Sequence, residues 1–155
     1  MRYMLMKKFL DKRYVNVLRE LYKNSKTPYN ELSKKIRAST TTCYRIVKEL
    51  EKFGIIKAYT IEIDAKKLGF PIKTLIEVKT RTGVTTELVR VLGTYPNVSR
   101  IYGITGDRDA IIEAYFRSIE ELDLFLKRIR EICPDIKDTE THIVLNEHRN
   151  AEGWF

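Results

Sequence analysis

Residues 39–54 read STTTCYRIVKELEKFG, and this stretch decides how the first half of the chain folds. Ser39 is a residue type that caps helix N-termini, and Gly54 is the type that ends helices in a left-handed backbone conformation. Between them, Cys43, Val47 and Leu50 recur at intervals of three and four residues, which is the spacing of one buried helix face. The stretch therefore predicts a capped, amphipathic helix.

The opposite face of this predicted helix is polar. It carries Thr40, Thr41, Tyr44, Arg45 and Lys48, called the reading face below. Each of these side chains can hydrogen-bond, stack on a base or pair with a phosphate. Two interpretations fit the pattern: a face that reads the major groove of DNA, or a solvated helix side.

Two shorter helical patterns precede this stretch. Apolar residues recur at helical spacing between Asp11 and Asn24, and they are Tyr14, Val17, Leu18 and Leu21. Thr27 as the cap and Pro28 as the first helical residue predict a second helix that runs to about Ile36, burying Leu32 and Ile36. Only Arg37 and Ala38 separate that helix from Ser39, so the three patterns together predict a helix-turn-helix.

The positive charge of the chain lies in the same region. The net charge is +8, with 15 Lys and Arg against 7 Asp and Glu in residues 1–64, and 14 against 14 in residues 65–155. A basic module joined to a neutral one is typical of a protein that binds a polyanion with one half. This charge distribution favours the DNA-reading interpretation.

Composition limits the remaining classes. A chain of 155 residues with 43% hydrophobic and 32% charged residues is globular, and it is too short for a barrel enzyme. Lys7 and Lys8 interrupt the first apolar run, so we expect no signal peptide, no membrane partner and a cytoplasmic location. Cys43 and Cys133 lie ninety positions apart, and we expect two buried thiols and no cofactor.

The second half alternates between strand and helix patterns. We expect a strand from Ile72 to Lys79, a helix from about Thr86 to Tyr95 capped by Thr85 or Thr86, strands Val98–Thr105 and Ala110–Phe116, a helix opened by a Ser118–Glu121 capping box, and a last strand Ile136–Leu145. This βαββαβ order predicts an α+β, ferredoxin-like domain. The domain boundaries we expect are 1–56 for the helix-turn-helix domain, 57–70 for an extended linker, 71–147 for the ferredoxin-like domain and 148–155 for a tail.

A sheet of this kind has helices on one face only. We expect Leu75, Tyr102, Glu113, His142 and Val144 on its open face, a mixture too apolar to leave in water. The sequence therefore predicts a homodimer that forms sheet to sheet. We also expect the terminal pair Trp154 and Phe155 to act as a latch between subunits.

Motifs along nearly the whole chain resemble one family, the Lrp/AsnC or feast/famine transcription regulators. The motifs are Leu10-Asp11 with Val17-Leu18 and Leu21, Tyr29-Asn30-Glu31-Leu32-Ser33, Ser39 with Cys43, Arg45 and Val47, Leu50-Glu51 with Gly54-Ile55-Ile56 and Tyr59, Asp64 with Leu68-Gly69, and Thr105-Gly106-Asp107-Arg108-Asp109. The resemblance implies that the first domain binds operator DNA. It also implies that the second, ACT-like (RAM) domain assembles dimers into tetramers or octamers and takes up an amino acid or related metabolite.

Three positions depart from the family pattern. Arg37 stands where the family usually has glycine, Tyr14 where it often has an acidic residue, and Ala38 where it often has a larger apolar one. A non-glycine residue at positive φ costs roughly 1 kcal/mol, so we expect a strained or differently wound turn at Arg37.

The resemblance and the reading face define a candidate DNA interface. Arg45 matches the family's recognition-helix arginine and suits either guanine or a phosphate. We expect Thr40, Thr41 and Tyr44 to fit base shape and thymine methyl groups. Ser39 and Lys48 belong to the same interface. We expect three further cations to contact the DNA backbone: Lys34, Lys35 and Arg37. The expected operator is palindromic or pseudo-palindromic, with half-sites about one helical turn apart.

The resemblance places the effector at a glycine-containing loop. Gly106 lets backbone approach a ligand, and Asp107 or Asp109 has a carboxylate for an ammonium group. The same residues also form an ordinary hairpin turn, and that interpretation stays open. A domain that only oligomerises and senses nothing is a further possibility.

An enzyme is the alternative from a different class. Tetrapyrrole (siroheme-type) decarboxylases resemble this two-domain architecture, and His142 would suit such a site. No serine or cysteine comes with a recognisable base, and His142 and His148 have no second histidine or carboxylate at metal-ligand spacing. We therefore expect a regulator, neither an enzyme nor a metal protein.

Overall fold

A computed structural model describes residues 11–84, 86–150 and 153–155. The chain divides into two compact units, one made of Met1–Glu62 with His148–Phe155 and the other of Ile63–Glu147. None of the helices in the described ranges is long and apolar enough to cross a membrane.

The first unit is built on three helices: α1 (Lys12–Lys23), α2 (Tyr29–Ile36) and α3 (Thr40–Lys52). Their apolar faces meet in one core, made of Tyr14, Val17, Leu32, Cys43, Ile46, Val47 and Leu50. Ser39 caps α3 as predicted, because its side chain accepts a hydrogen bond from the backbone N–H of Thr42. The predicted stripe on α3 omitted Ile46, which is 1% exposed.

The start of α2 differs from the prediction. Thr27 does not cap the helix, since its hydroxyl donates to the carbonyl of Asn24 at 2.8 Å. Pro28 occupies the cap position in an extended conformation, and it has no side-chain hydrogen bond to offer. Thr27 therefore closes the turn after α1.

The turn between α2 and α3 places Arg37 at φ 54° and ψ 51°, the left-handed region. The N–H of Arg37 bonds the carbonyl of Lys34, and the N–H of Ala38 bonds that of Ser33 at 3.0 Å. This pairing ends a helix only when the intervening residue is left-handed. Gly54, at φ 68°, ends α3 in the same way. Arg37 therefore takes the left-handed conformation usually filled by glycine, as expected.

The second unit contains β1 (Ile72–Thr80), α4 (Thr86–Leu92), β2 (Val98–Gly103), β3 (Ala110–Phe116), α5 (Ile119–Ile132) and β4 (Ile136–Ile143). The strands form one antiparallel sheet in the order β2-β3-β1-β4, which confirms the ferredoxin-like prediction. Side chains from α4 and α5 cover one face, where Ile76, Ile112 and Phe116 are fully buried.

Three elements are shorter than predicted. The helix α4 ends at Leu92, three residues before Tyr95, because Thr94 and Tyr95 make turn bonds to the carbonyls of Val91 and Leu92. The strands β2 and β4 end at Gly103 and Ile143. The proposed cap Thr85 lies outside the described residues.

The capping box of α5 is only half formed. The side chain of Ser118 accepts from the N–H of Glu121 at 3.2 Å, as predicted. The carboxylate of Glu121 does not return to Ser118 and instead accepts from the N–H of Arg117 at 2.6 Å and from the amide of Asn97 at 3.0 Å. These hydrogen bonds lower the pKa of Glu121, the one from Arg117 most strongly.

The open face of the sheet carries four of the five residues predicted for it, and the fifth, Val144, lies beyond the end of β4. Strand register puts Leu75 opposite both Glu113 and His142, and Tyr102 opposite Ile111. The face is more charged than the sequence suggested, however, because Glu77 lies directly opposite Glu140 and Arg108 reaches both carboxylates. Apolar character alone is therefore not the property that would drive a second copy onto this face.

The segment before β1 is not extended throughout, in contrast to the prediction for 57–70. Residues 65–69 form a turn, in which the Ala65 carbonyl accepts from the N–H groups of Leu68 and Phe70. Asp64 accepts from the N–H of Lys67 at 3.2 Å, and the Arg117 guanidinium lies 5.0 Å from the Phe70 ring centroid. The turn is thus fastened to the second unit.

The end of the described chain packs on α1 in the first unit. The side chain of Arg19 donates to the carbonyl of Phe155 at 2.8 and 3.2 Å, and the Tyr22 ring meets the Phe155 ring edge to face. Trp154 is 85% exposed. These contacts are within one chain, and the intersubunit latch stays a prediction.

Candidate nucleic-acid interface and ligand loop

The five residues of the reading face are exposed on one side of α3. The buried residues Cys43, Ile46, Val47 and Leu50 hold the other side of the helix against α1 and α2. Because Ser39 caps the first turn, the residues that follow it have a defined orientation from the start of the helix. The structure therefore brings together the side chains that the sequence assigned to groove reading.

An aromatic contact supports the middle of the reading face. The ring of Tyr44, 50% exposed, lies edge to face on Tyr29 of α2 with centroids 5.6 Å apart. The ammonium group of Lys48 lies 5.7 Å from the Tyr44 centroid. Tyr29 follows Pro28 directly and lies in the first turn of α2, a position that the sequence pattern did not connect with the interface. Tyr44 is consequently braced by a neighbouring helix.

Both cations of the reading face have carboxylate partners on the same helix. Arg45 pairs with Glu49 at 3.2 Å, and Lys48 pairs with Glu51 at 2.8 Å. Lys48 lowers the pKa of Glu51, which also accepts a hydrogen bond from the hydroxyl of Tyr59 at 2.9 Å. Burial and that hydrogen bond raise the pKa of Tyr59 to about 12. Glu49 and Glu51 were not predicted as part of the interface, because glutamate is common on the surface of any helix.

The predicted phosphate contacts divide into two groups. Lys35 is held by Glu20 at 3.1 Å and Glu31 at 3.0 Å, so its charge is already balanced within the protein. Within the described residues, no ion pair is recorded for Lys34 or Arg37, and both side chains are exposed. These two are therefore the better candidates for a phosphate contact.

A shallow recess next to this turn adds two further cations. Lys12 and Arg13, at the start of α1, line it together with Lys35 and Arg37. The carboxylate of Asp11 also lies there and accepts from the N–H of Arg13 at 2.9 Å, where it caps α1. Only the fold brings these positions together, because more than twenty residues separate them in the chain.

The loop predicted to bind the effector is anchored on β1 through Asp109. Asp109 accepts from the N–H and hydroxyl of Thr80 at 2.6 and 2.9 Å, and its N–H donates to the Val78 carbonyl. The hydrogen bonds from Thr80 lower the pKa of Asp109. Asp109 therefore holds the β1 end of the sheet, where the strand register shifts between Lys79 and Thr80.

Asp107 and Gly106 remain accessible in this loop. Asp107 forms an exposed ion pair with Lys79, and this pairing lowers the pKa of Asp107. Gly106 has φ 119°, a conformation that side chains other than glycine rarely adopt, and the space around it is open. The loop thus offers one carboxylate, one ammonium group and an exposed stretch of backbone.

The open sheet face carries a cluster that the sequence analysis did not foresee. His142 has carboxylates at metal-ligand spacing after all, with Glu77 at 3.7 Å and Glu140 at 3.8 Å, and their ligand atoms lie within 4.8 Å of one another. Strand pairing between β1 and β4 brings the three together. The guanidinium of Arg108 contacts both glutamates and also Asp138, and the carboxylates of Asp138 and Glu140 are exposed, so we assign no metal to this cluster.

Comparisons with known proteins agree with this two-part arrangement. Residues 10–57 match a winged helix-turn-helix DNA-binding family, and residues 73–153 match the Lrp/AsnC ligand-binding domain family. The transcriptional regulator LrpC of Bacillus subtilis is 31% identical over 144 residues, which cover 93% of this chain and 97% of LrpC. The regulator FL11 of Pyrococcus horikoshii is 32% identical, over 92% of this chain and 91% of FL11.

Solved structures give the same result. The structure of B. subtilis LrpC superposes with a TM-score of 0.80 over 90% of this chain and 96% of LrpC, at 31% identity. The regulator NMB0573 of Neisseria meningitidis, solved as an L-Met complex, superposes with a TM-score of 0.80 at 22% identity, over 90% of this chain and 92% of NMB0573. The second likeness is one of fold.

Proposed function

The chain belongs to the Lrp/AsnC family and is a DNA-binding transcriptional regulator with a ligand-binding domain, and on this premise we propose how it reads and responds. In this proposal α3 enters the major groove and Arg45 contacts a base edge. Thr40, Thr41 and Tyr44 fit the surrounding base pairs, and Ser39 and Lys48 complete the contact along α3.

The observation that carries this proposal is that α3 has one buried apolar face and one exposed polar face. One side is buried from Cys43 to Leu50, and the other presents the reading face with Arg45 59% exposed. The unit that holds α3 also contains the whole excess of positive charge in the sequence. A solvated helix side needs neither a braced tyrosine nor a basic surrounding, whereas a groove-reading helix benefits from both.

Two substitutions separate base reading from phosphate binding. We expect Arg45→Ala to weaken binding to a selected operator by about 1–3 kcal/mol, with a smaller loss on random duplex. Lys34→Ala lowers affinity evenly on both duplexes and reduces the slope of log K against log salt by about one. Fluorescence anisotropy with both duplexes measures these changes. Equal losses on the two duplexes for Arg45→Ala would reduce Arg45 to a phosphate contact.

The second unit, in this proposal, binds an amino acid or a similar zwitterion at Gly106 and Asp107. The exposed Asp107–Lys79 pair supports this, because an ammonium and a carboxylate of the ligand can each exchange for one partner. Asp109 then acts by holding the loop to Thr80. A neighbour with the same fold, NMB0573, is known as an L-Met complex, and that supports the ligand class.

A thermal-shift screen over the common amino acids tests this ligand. A ligand at 100 times its Kd adds about 2.7 kcal/mol to the free energy of unfolding, so binding raises Tm measurably. Asp107→Asn abolishes the shift if Asp107 receives the ammonium group. A flat screen would instead favour a domain that serves assembly alone, with 104–109 as an ordinary turn.

The proposal also covers the oligomeric state of the protein and its location in the cell. We propose a homodimer that joins open sheet faces and builds into tetramers or octamers, acting in the cytoplasm on pseudo-palindromic DNA. Effector binding then shifts the population of assemblies and with it the number of half-sites held together. The named relatives are transcriptional regulators, which favours a regulator without enzymatic activity over the decarboxylase alternative.

A further inference from the structure

One carboxylate links the buried core of the first unit to an exposed arginine of the reading face. The Oε1 atom of Glu49 accepts from Nη1 of Arg45 at 3.2 Å, one helical turn earlier on α3. The Oε2 atom of the same glutamate accepts from the hydroxyl of Tyr14 on α1. Tyr14 is 6% exposed, whereas the Arg45 side chain is 59% exposed. The chain of contacts therefore runs from the core to the reading face.

A glutamate is an unfavourable residue to place beside DNA, because its charge repels the phosphates. Glu49 nevertheless lies directly next to the arginine that faces the groove. Its position is set from the inside, since Tyr14 is packed in the helical core and fixes one of the two carboxylate oxygens. The other oxygen then restricts where the guanidinium of Arg45 can lie.

Such a restriction matters for a base contact more than for a phosphate contact. A guanidinium that binds the O6 and N7 atoms of guanine needs a defined plane and direction. An arginine already held in few conformations loses less freedom on binding. A contact with a phosphate tolerates many directions and gains little from the same restraint.

We propose that Glu49, held by Tyr14, is a positioning residue that aims Arg45 at its base and thereby sets the preference for operator over random DNA. The proposal rests on the base-reading role proposed for Arg45. It gives Tyr14, which departs from the family pattern, a function at a distance from the DNA. The same glutamate lowers the general affinity for DNA through its charge.

The neighbouring lysine provides a matched comparison. Tyr59, Glu51 and Lys48 form the same sequence of hydroxyl, carboxylate and cation on α3. Lysine offers a point charge without a plane, so its contact with a phosphate does not depend on a fixed direction. Removing the Tyr59 hydroxyl is thus the same chemical change without the directional consequence.

The test compares Tyr14→Phe, Glu49→Gln and the control Tyr59→Phe in the full chain, alone and combined with Arg45→Ala. Kd is measured on a duplex that the wild-type protein selects from a random pool and on a random duplex of equal length. The readout is the ratio of Kd for the random duplex to Kd for the selected duplex, which is high when the protein prefers its operator. We expect Tyr14→Phe and Glu49→Gln to lower this ratio about three- to tenfold. Glu49→Gln also tightens binding to random DNA, which a loss of folding cannot do. Tyr59→Phe leaves the ratio unchanged.

The combined variants complete the test. With Arg45→Ala present, Tyr14→Phe causes no further loss of the ratio, because both act through one contact. The positioning role is overturned if Tyr14→Phe lowers the ratio by its full factor even when Arg45→Ala is present. It is also overturned if Tyr59→Phe lowers the ratio as much as Tyr14→Phe does. If Arg45→Ala lowers the ratio while Tyr14→Phe and Glu49→Gln do not, the inference fails and the proposed function stands. If Arg45→Ala leaves the ratio unchanged, the positioning role of Glu49 and the base-reading role proposed for Arg45 both fail. Where Tyr14→Phe does not fold, Glu49→Gln carries the test.

Discussion

At the scale of single residues, Arg37 combines a left-handed backbone with a proposed DNA contact. Its backbone lies at φ 54°, so the helix α2 can end and the chain can turn into α3 within two residues. Its side chain is exposed beside Lys34, where a phosphate contact is proposed. A glycine would relieve the backbone and remove the charge, so the arginine trades some stability for affinity.

We predict that Arg37→Gly raises the free energy of unfolding by up to about 1 kcal/mol, because left-handed strain disappears while part of the gain is lost to the freer unfolded chain. The same variant binds DNA more weakly. Urea denaturation and anisotropy measure the two effects. Arg37→Ala is the control, since it removes the charge and keeps the strain; it weakens DNA binding without any gain in stability. A stability gain in Arg37→Ala would contradict this account.

At the scale of elements, helix ends explain where the chain turns. Ser39 and Ser118 cap α3 and α5 with their side chains, while Gly54 and Arg37 end α3 and α2 in left-handed conformations. In α5 the cap is extended by Glu121, which binds the backbone of Arg117 just before the helix. The helix start and the end of β3 are therefore tied to each other.

Ser118→Ala should lower the free energy of unfolding of the second unit by about 1 kcal/mol, the usual cost of losing a side-chain cap. Ser118→Asp keeps an acceptor oxygen at the same place and should retain most of the stability. Thermal unfolding monitored by circular dichroism compares the three proteins. An unchanged Tm in Ser118→Ala would mean that Glu121 alone secures the helix start.

Patterns with a local cause were predictable from sequence, and contacts that depend on the fold were not. The caps Ser39 and Ser118 and the βαββαβ order follow from local residue patterns, whereas the left-handed turn at Arg37 was expected from the family resemblance. The cap assigned to Thr27 was wrong, because its hydroxyl found a nearer carbonyl in the preceding turn.

The candidate sites follow the same division. The reading face was predictable because residues on one helix share a side by spacing alone. The link from Tyr14 to Glu49 and the pairing of Glu77 with Glu140 were not, since each joins elements that are distant in sequence. The anchoring of Asp109 on Thr80 likewise depends on two strands meeting.

At the scale of the whole molecule, the proposed assembly depends on the open sheet face. Arg108 links Glu77 on β1 with Asp138 and Glu140 on β4, and Leu75 lies between Glu113 and His142. A twofold axis would bring this face against the same face of a second copy, which is the arrangement proposed above.

We predict that sedimentation of the full chain at micromolar concentration gives a dimer or a larger assembly. Leu75→Lys places a charge at the centre of the face and should shift the population toward monomer. Lys127→Glu, on the exposed side of α5, is the control and leaves the assembly unchanged. A wild-type monomer at micromolar concentration would contradict the sheet-to-sheet arrangement.

The claim on which the account depends is that α3 of the basic unit recognises a duplex. Its most direct measurement is the affinity of the full chain for DNA from its own promoter region, compared with a random duplex of equal length across a range of salt concentrations. The account predicts a preference for the promoter of about a thousandfold or more, and an affinity that falls linearly on a log–log plot as salt rises. Equal affinity for both duplexes, or no binding at low ionic strength, would contradict it.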